Sequence, residues 1–135
     1  MKNLLFALLA ISLQTSCSEK TSTSPNEVYQ LWSGNKPTDA IKVLNGKYWA
    51  SAHWTRAYIL FLELEADKKF RTDFRIQNNL IMDTSKTDYS SSQKPDWFNP
   101  SKQAIRYKIN DHFDQGSRYY HDSTNNIIYI YEIQL

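Results

Sequence analysis

The stretch from Ile127 to Leu135 (IIYIYEIQL) restricts the possible folds more than any other part of the chain. Read as a strand, it places Ile127, Tyr129, Tyr131, Ile133 and Leu135 on one face, while Ile128 and Ile130 make the start of the other face apolar too. A strand with one solvated face alternates apolar with polar residues, so one that is apolar on both faces belongs inside a sheet and not at its edge. Its β-branched and aromatic residues suit a pleated, buried surface.

A second run, Tyr58 to Glu65 (YILFLELE), gives a companion strand. Tyr58, Leu60, Leu62 and Leu64 share one side, and on the other Ile59 and Phe61 give way to Glu63 and Glu65. Leu, Glu and Ala also favour helix, so a helix over residues 54–66 competes; the alternation of the last four residues decides for a strand. Asp67 then caps a helix reaching Gln77, in which Phe70 and Phe74 share a face and Lys68, Lys69, Arg71 and Arg75 supply the solvated surface. Asn78-Asn79 stops it.

Residues 40–49 (AIKVLNGKYW) allow two readings. Asn45-Gly46 between apolar runs signals a hairpin turn, because both residues accept positive φ. Alternatively, Thr38 caps a short helix that Gly46 ends; the hairpin is preferred. Residues 33–37 read as a turn and residues 83–96 as a long polar loop. Trp97-Phe98, set between Pro95 and Pro100, plugs the end of that loop into the core. Further strands are expected at residues 104–109 and 118–121, with a hairpin turn over 122–126. The expected fold is α+β: an antiparallel sheet with one main helix packed on one side.

The chain has 16 Lys and Arg against 14 Asp and Glu, with both signs interspersed, and so lacks the clustered basic face of a nucleic-acid binder. Nine Tyr and four Trp beside three Gly suit strands and a packed core.

The N-terminus carries an address. Met1-Lys2-Asn3 supplies a positive charge, and Leu4 to Leu13 (LLFALLAISL) is apolar except for Ser12. That makes a secretory signal, too short for the roughly 20 apolar residues a spanning helix needs. It ends in Leu13-Gln14-Thr15-Ser16-Cys17, which resembles the lipobox of bacterial lipoproteins: small residues before a cysteine that is lipidated and becomes the new N-terminus. Thr15 and Ser16 fit; Gln14 stands where the family usually has an aliphatic residue. Cys17 is the only cysteine, so no intramolecular disulfide can form. The resemblance, which covers about the first 20 residues, implies a signal peptide over 1–16 and lipid such as palmitate on Cys17. The polar stretch from Ser18 to Asn26 and the turn at 33–37 mark a lipidated tether and linker over 17–35, and the rest reads as one globular domain over 36–135. By the family's sorting rule Ser18, in place of Asp, favours the outer membrane of the cell envelope.

Candidate chemistry is sparse. No nucleophile elbow, phosphate loop, zinc spacing or calcium loop is present. His53, His112 and His121, the latter two beside Asp111, Asp114 and Asp122, are the conceivable metal or acid–base groups. Their positions in expected turns favour ordinary solvated residues, and no metal or other cofactor is expected. Aromatic residues offer a second possibility: Trp49, His53, Trp54 and Trp97 as a ligand platform, with Tyr48 beside them and Tyr119, Tyr120, Tyr129 and Tyr131 on paired strands. Core packing explains the same residues without a ligand. The functional expectation is a non-catalytic protein-binding lipoprotein (an inhibitor, immunity-type protein or assembly accessory), held on the membrane through Cys17 and meeting an envelope protein or glycan. The alternatives are a glycan- or peptide-binding module and a metal-dependent hydrolase.

Overall fold

The structure is a computed structural model that describes residues 18–87 and 91–135; Cys17 and the signal-like segment before it lie outside the described residues. The elements are β1 (Lys20–Ser22), α1 (Pro25–Ser33), β2 (Ile41–Ala50), β3 (Tyr58–Ala66), α2 (Lys68–Gln77), β4 (Leu80–Met82), β5 (Ile105–Ile109), β6 (Arg118–Asp122) and β7 (Ile127–Gln134). The described strands form one sheet in the order β1-β2-β3-β7-β6-β5-β4, antiparallel at every pairing. The architecture is therefore α+β, with the sheet dominant.

β7 is central, between β3 and β6, as its two apolar faces require. Its register with β3 sets Ile130 opposite Leu62 and Ile128 opposite Leu64 on one face, and Tyr131 opposite Phe61 on the other. Leu60, Leu62, Leu64, Ile128 and Ile130 are fully buried beneath the helices. The far end departs from expectation: Leu135 follows the strand and is 77% exposed, because β3 offers no partner beyond the pairing of Tyr58 with Gln134.

α2 begins where its cap residue stands. The Asp67 carboxylate accepts the Phe70 N–H at 2.7 Å, Phe70 and Phe74 stack at 6.1 Å, and Asn79 follows the helix at positive φ. Arg71, expected on the solvated surface, is buried. Its guanidinium Nη1 donates to the Ala66 carbonyl at 2.6 Å and to Asn126 Oδ1 at 2.8 Å, tying the start of α2 to the β6–β7 turn.

Two further expectations fail. Residues 40–49 form neither hairpin nor helix; from Ile41 onward they lie in the single strand β2, with a register shift between Val43 and Asn45. Gly46 serves close approach instead of a turn: a Cβ there would sit 2.7 Å from Val28 Cβ of α1. Asn45 uses its side chain across the strands, donating to Glu63 at 2.7 Å. The segment expected as tether and linker also joins the fold. Lys20–Ser22 pairs with β2, and Pro25–Ser33 is a second helix, with Pro25 at its start and Gly34 in the left-handed conformation at its end. Val28 and Tyr29 are buried and Trp32 meets Phe74 of α2 at 5.7 Å, so both helices cover the same face.

The opposite face is covered by the segment between β4 and β5. Phe98 is buried, with ring contacts to Phe61 at 5.1 Å, Tyr129 at 5.5 Å and Tyr120 at 6.0 Å. This is the plug expected of Trp97-Phe98.

Candidate functional site

The four residues expected to form an aromatic platform separate into two pairs. Trp49 and Trp97 are half-buried and pack against the Ile59, Phe61, Phe98 and Tyr131 cluster under the β4–β5 segment. Trp97 meets Phe98 at 6.0 Å, and the Trp49 indole N–H donates to Glu19. These two are packing residues. His53 and Trp54 lie in the β2–β3 connection, both exposed, Trp54 by 98%.

Trp54 and His53 border an open cleft of about 1040 Å³, shared with Ser18, Lys20, Tyr48 and Tyr58. Tyr48 and Tyr58 stack at 6.1 Å. Tyr58 also borders an adjoining hollow of about 330 Å³, lined by Asp111, Phe113, Asp114 and Tyr119. Between them stands Glu132, whose carboxylate accepts from Trp32 Nε1 at 3.0 Å, the Tyr119 hydroxyl at 2.8 Å and the Tyr58 hydroxyl at 3.0 Å. Burial, reinforced by Glu132, pushes both phenols well above their ordinary range. They remain hydrogen-bond donors at any physiological pH. This arrangement clamps α1, β3 and β6 onto β7.

The histidines do not converge. His53 and His112 are exposed in separate connections, while His121 is buried on the helix-covered face. Among the described residues no group of three His, Cys, Asp or Glu is placed to hold a metal. His121 and Asp122, expected in a solvated turn, are both buried. The β6 strand extends one residue further than expected, and Asp122 turns inward to accept from Ser101 at 2.8 Å and Asn125 at 2.9 Å. His121 packs on Tyr107 at 4.9 Å and Phe74 at 6.1 Å. It borders a hollow of about 190 Å³ with Lys68, Arg71 and Arg75. Burial, then the positive charges of Arg71 and Arg75, push its imidazole down to about 4, so it is neutral at pH 7.

Sequence reasoning missed a charged cluster on the other face. Arg118 is fully buried, its Nε donating to Asp83 Oδ2 at 2.7 Å and its Nη1 to both Asp114 oxygens at 2.8 and 2.9 Å. Arg106 Nε reaches the same Asp83 oxygen at 3.0 Å. Burial pushes the Asp83 carboxyl up, but hydrogen bonds from Ser85 and the Arg118 guanidinium outweigh it and hold the group below the ordinary carboxylate range. An arginine at the start of a strand carries no mark of such burial; Asp114 is four residues before it in an irregular connection, and Asp83 lies 35 residues away.

No protein-family model matches this chain, and neither a characterised protein nor a solved structure matches it.

Proposed function

We propose that this chain is a small envelope lipoprotein, anchored through lipid on Cys17 with the outer membrane as its favoured address, whose domain is a non-catalytic module that binds another protein. The lipid reading rests on the signal-like residues 1–16 and the lipobox-like end at Cys17. Two acyl chains anchor stably where one binds only marginally. The binding reading rests on the uncovered end of the helix-covered face. There Met82 of β4 and Ile105 and Ile109 of β5 are 57%, 39% and 38% exposed, beside a three-residue edge strand. Exposed apolar groups gathered at a sheet edge mark a surface that a partner protein covers.

Two measurements test the two parts. Metabolic labelling with a palmitate analogue is expected to mark the wild-type chain and not Cys17→Ala; equal label in both refutes the anchor. Affinity capture from envelope extracts should recover a partner with wild type and lose it with Met82→Lys combined with Ile105→Lys. Undiminished capture by that variant, or turnover of an envelope substrate by the wild type, refutes the binding module.

A further inference from the structure

The three large apolar side chains left most open to water among the described residues gather at one end of the sheet. Trp54 is 98% exposed, Phe113 85% and Leu135 77%. Strand register brings them together. Tyr58 pairs with both Ala50 and Gln134, so the β2–β3 connection and Leu135 share an end. Lys20 pairs with Ala50, which starts β1 at that end as well. The β5–β6 connection arrives there too: the Ile133 N–H donates to Ser117 Oγ at 3.0 Å, and Phe113 borders the same hollow as Tyr58 and Gln134. An indole and a phenyl ring held in water at one rim forgo the burial that drives folding, and such rims mark contact with a membrane or another molecule.

The adjoining chain selects the membrane. Ser18 borders the same cleft as Trp54, and Cys17 precedes Ser18 by one peptide link, about 3.8 Å between Cα atoms. Lys20 already belongs to β1, and Glu19 is held by the Trp49 indole. Three residue steps at full stretch span only about 10 Å, so a lipid on Cys17 leaves this end of the sheet no room to stand away from the surface.

We propose that, in the anchored protein, this end lies on the bilayer with Trp54 and Phe113 seated at the boundary between headgroups and acyl chains. The proposal rests on the lipoprotein reading. Trp favours that depth because its ring is apolar with one polar N–H. Lys20 and Arg56 border the same cleft as Trp54, but Asp111 and Asp114 lie at this end too, so the apolar rings and not net charge set the orientation. β3 spans nine residues, about 27 Å at strand rise. The β6–β7 turn at the opposite end is thereby held well clear of the lipid.

The test uses the full chain, produced in a bacterial cell, purified from membranes and reconstituted into phosphatidylethanolamine–phosphatidylglycerol vesicles, with and without brominated acyl chains. Mass spectrometry of the purified protein first establishes whether Cys17 is acylated. The emission of Trp54 is isolated by subtracting that of Trp54→Phe. It is expected to shift to the blue on reconstitution and to lose most of its intensity with brominated lipid. Within the Trp54→Phe background, Phe113→Trp should be quenched in the same way, and Thr124→Trp, in the turn at the far end, should not. Acylated Cys17 with unquenched Trp54, or with Thr124→Trp quenched equally, overturns the orientation and leaves the anchor standing. An unacylated Cys17 overturns the anchor and the orientation with it.

Discussion

The two faces of the sheet are held by different physics. Under α1 and α2 the centre of the contact is aliphatic: Leu60, Leu62, Leu64, Ile128 and Ile130 are removed from water altogether, and their stabilisation follows from buried area with little dependence on direction. Rings such as Phe74 and Tyr119 and the Glu132 hydrogen bonds surround that centre. Under the β4–β5 segment the contacts are directional. Phe61 stacks on Tyr131 at 4.9 Å and meets Phe98 edge-on, and a fully buried Arg118 joins Asp83 and Asp114. A helix brings its own backbone hydrogen bonds to the face it covers; an irregular segment does not. The second face compensates by anchoring its cover with rings and charges at defined points.

β7 belongs to both faces, so removing residues 131–135 should damage both and produce the largest effect. Tyr131 is buried and Glu132 holds three donors, while the ladder to Tyr58 and Phe61 is lost with them. Burial of a large side chain contributes about 1.5–3 kcal/mol, against a total of about 5–15 kcal/mol for a whole domain. The truncated chain is expected to lose its cooperative thermal transition by circular dichroism. A melt within a few degrees of the parent would mean that β7 is dispensable.

Arg118→Met acts on the loop-covered face alone. It takes the ion-pair partner from Asp114 and one of two from Asp83, which keeps Arg106 and the Ser85 N–H. Breaking a buried pair costs about 3–5 kcal/mol, measurable by urea unfolding at pH 7. The sign with pH follows from Asp83. Its folded value is depressed, so its contribution is present above the unfolded value near 3.9 and is lost as pH falls through the folded value. Wild type should therefore lose stability below about pH 4, and the variant should lose the part of that dependence that Arg118 supplies, Ser85 keeping the rest. An unchanged acid limb would show that Arg118 does not set the Asp83 value.

His121 gives the helix-covered face a different pH window. Its folded value, about 4, lies below the ordinary 6.5, so the unfolded chain binds the proton first. Stability is full above about pH 6.5 and falls as pH drops toward 4, by about 3 kcal/mol in total. His121→Phe keeps an aromatic ring between Tyr107 and Phe74 and should flatten the curve between pH 6.5 and 4 while sparing the steeper loss below 4. If both windows disappear together, the two faces do not titrate separately.

The smallest expected effect is that of Gly46→Ala. The added methyl meets Val28 Cβ, and overpacking of this kind costs about 1–3 kcal/mol. Val28→Gly, which removes that Cβ, should recover part of that loss in the same chain. Additive losses from the two changes would show that α1 does not rest on β2 at this point.

What could be read in the sequence was whatever local chemistry settles. β3, β7 and α2 each carry a periodic pattern and, for α2, a cap; Phe98 carries its two flanking prolines. Asn45-Gly46 misleads because glycine serves two ends, a turn and a close approach, and only the position of Val28 tells them apart. α1 did leave a signal, Ser24-Pro25 at the front and Gly34 behind, but its nine residues bury only Val28 and Tyr29, too few to show a period. β1 and β4 are three residues each and exist only because a neighbour pairs with them. Of the candidate site, Trp54 was legible as a residue type and not as a location. Its company with Ser18 and Phe113 depends on register between strands far apart in the chain. The burial of Arg118 and His121 is likewise decided by loops and a helix that no local pattern links to them.

The junction of β3 with β7 also bears on how the protein comes into being. β2 meets β3, and β6 meets β7, through short connections, so each of these pairs can form locally. The sheet becomes one object only when Tyr58 finds Gln134 and Glu65 finds Ile127, a closure spanning much of the chain. Non-local closures of this kind slow folding. Until β7 arrives, β3 is an open edge bearing Leu60, Leu62 and Leu64, a template for mispairing with other chains. A chain threaded through a membrane N-terminus first would carry that open edge throughout transit, and would complete its sheet only once its last strand had crossed.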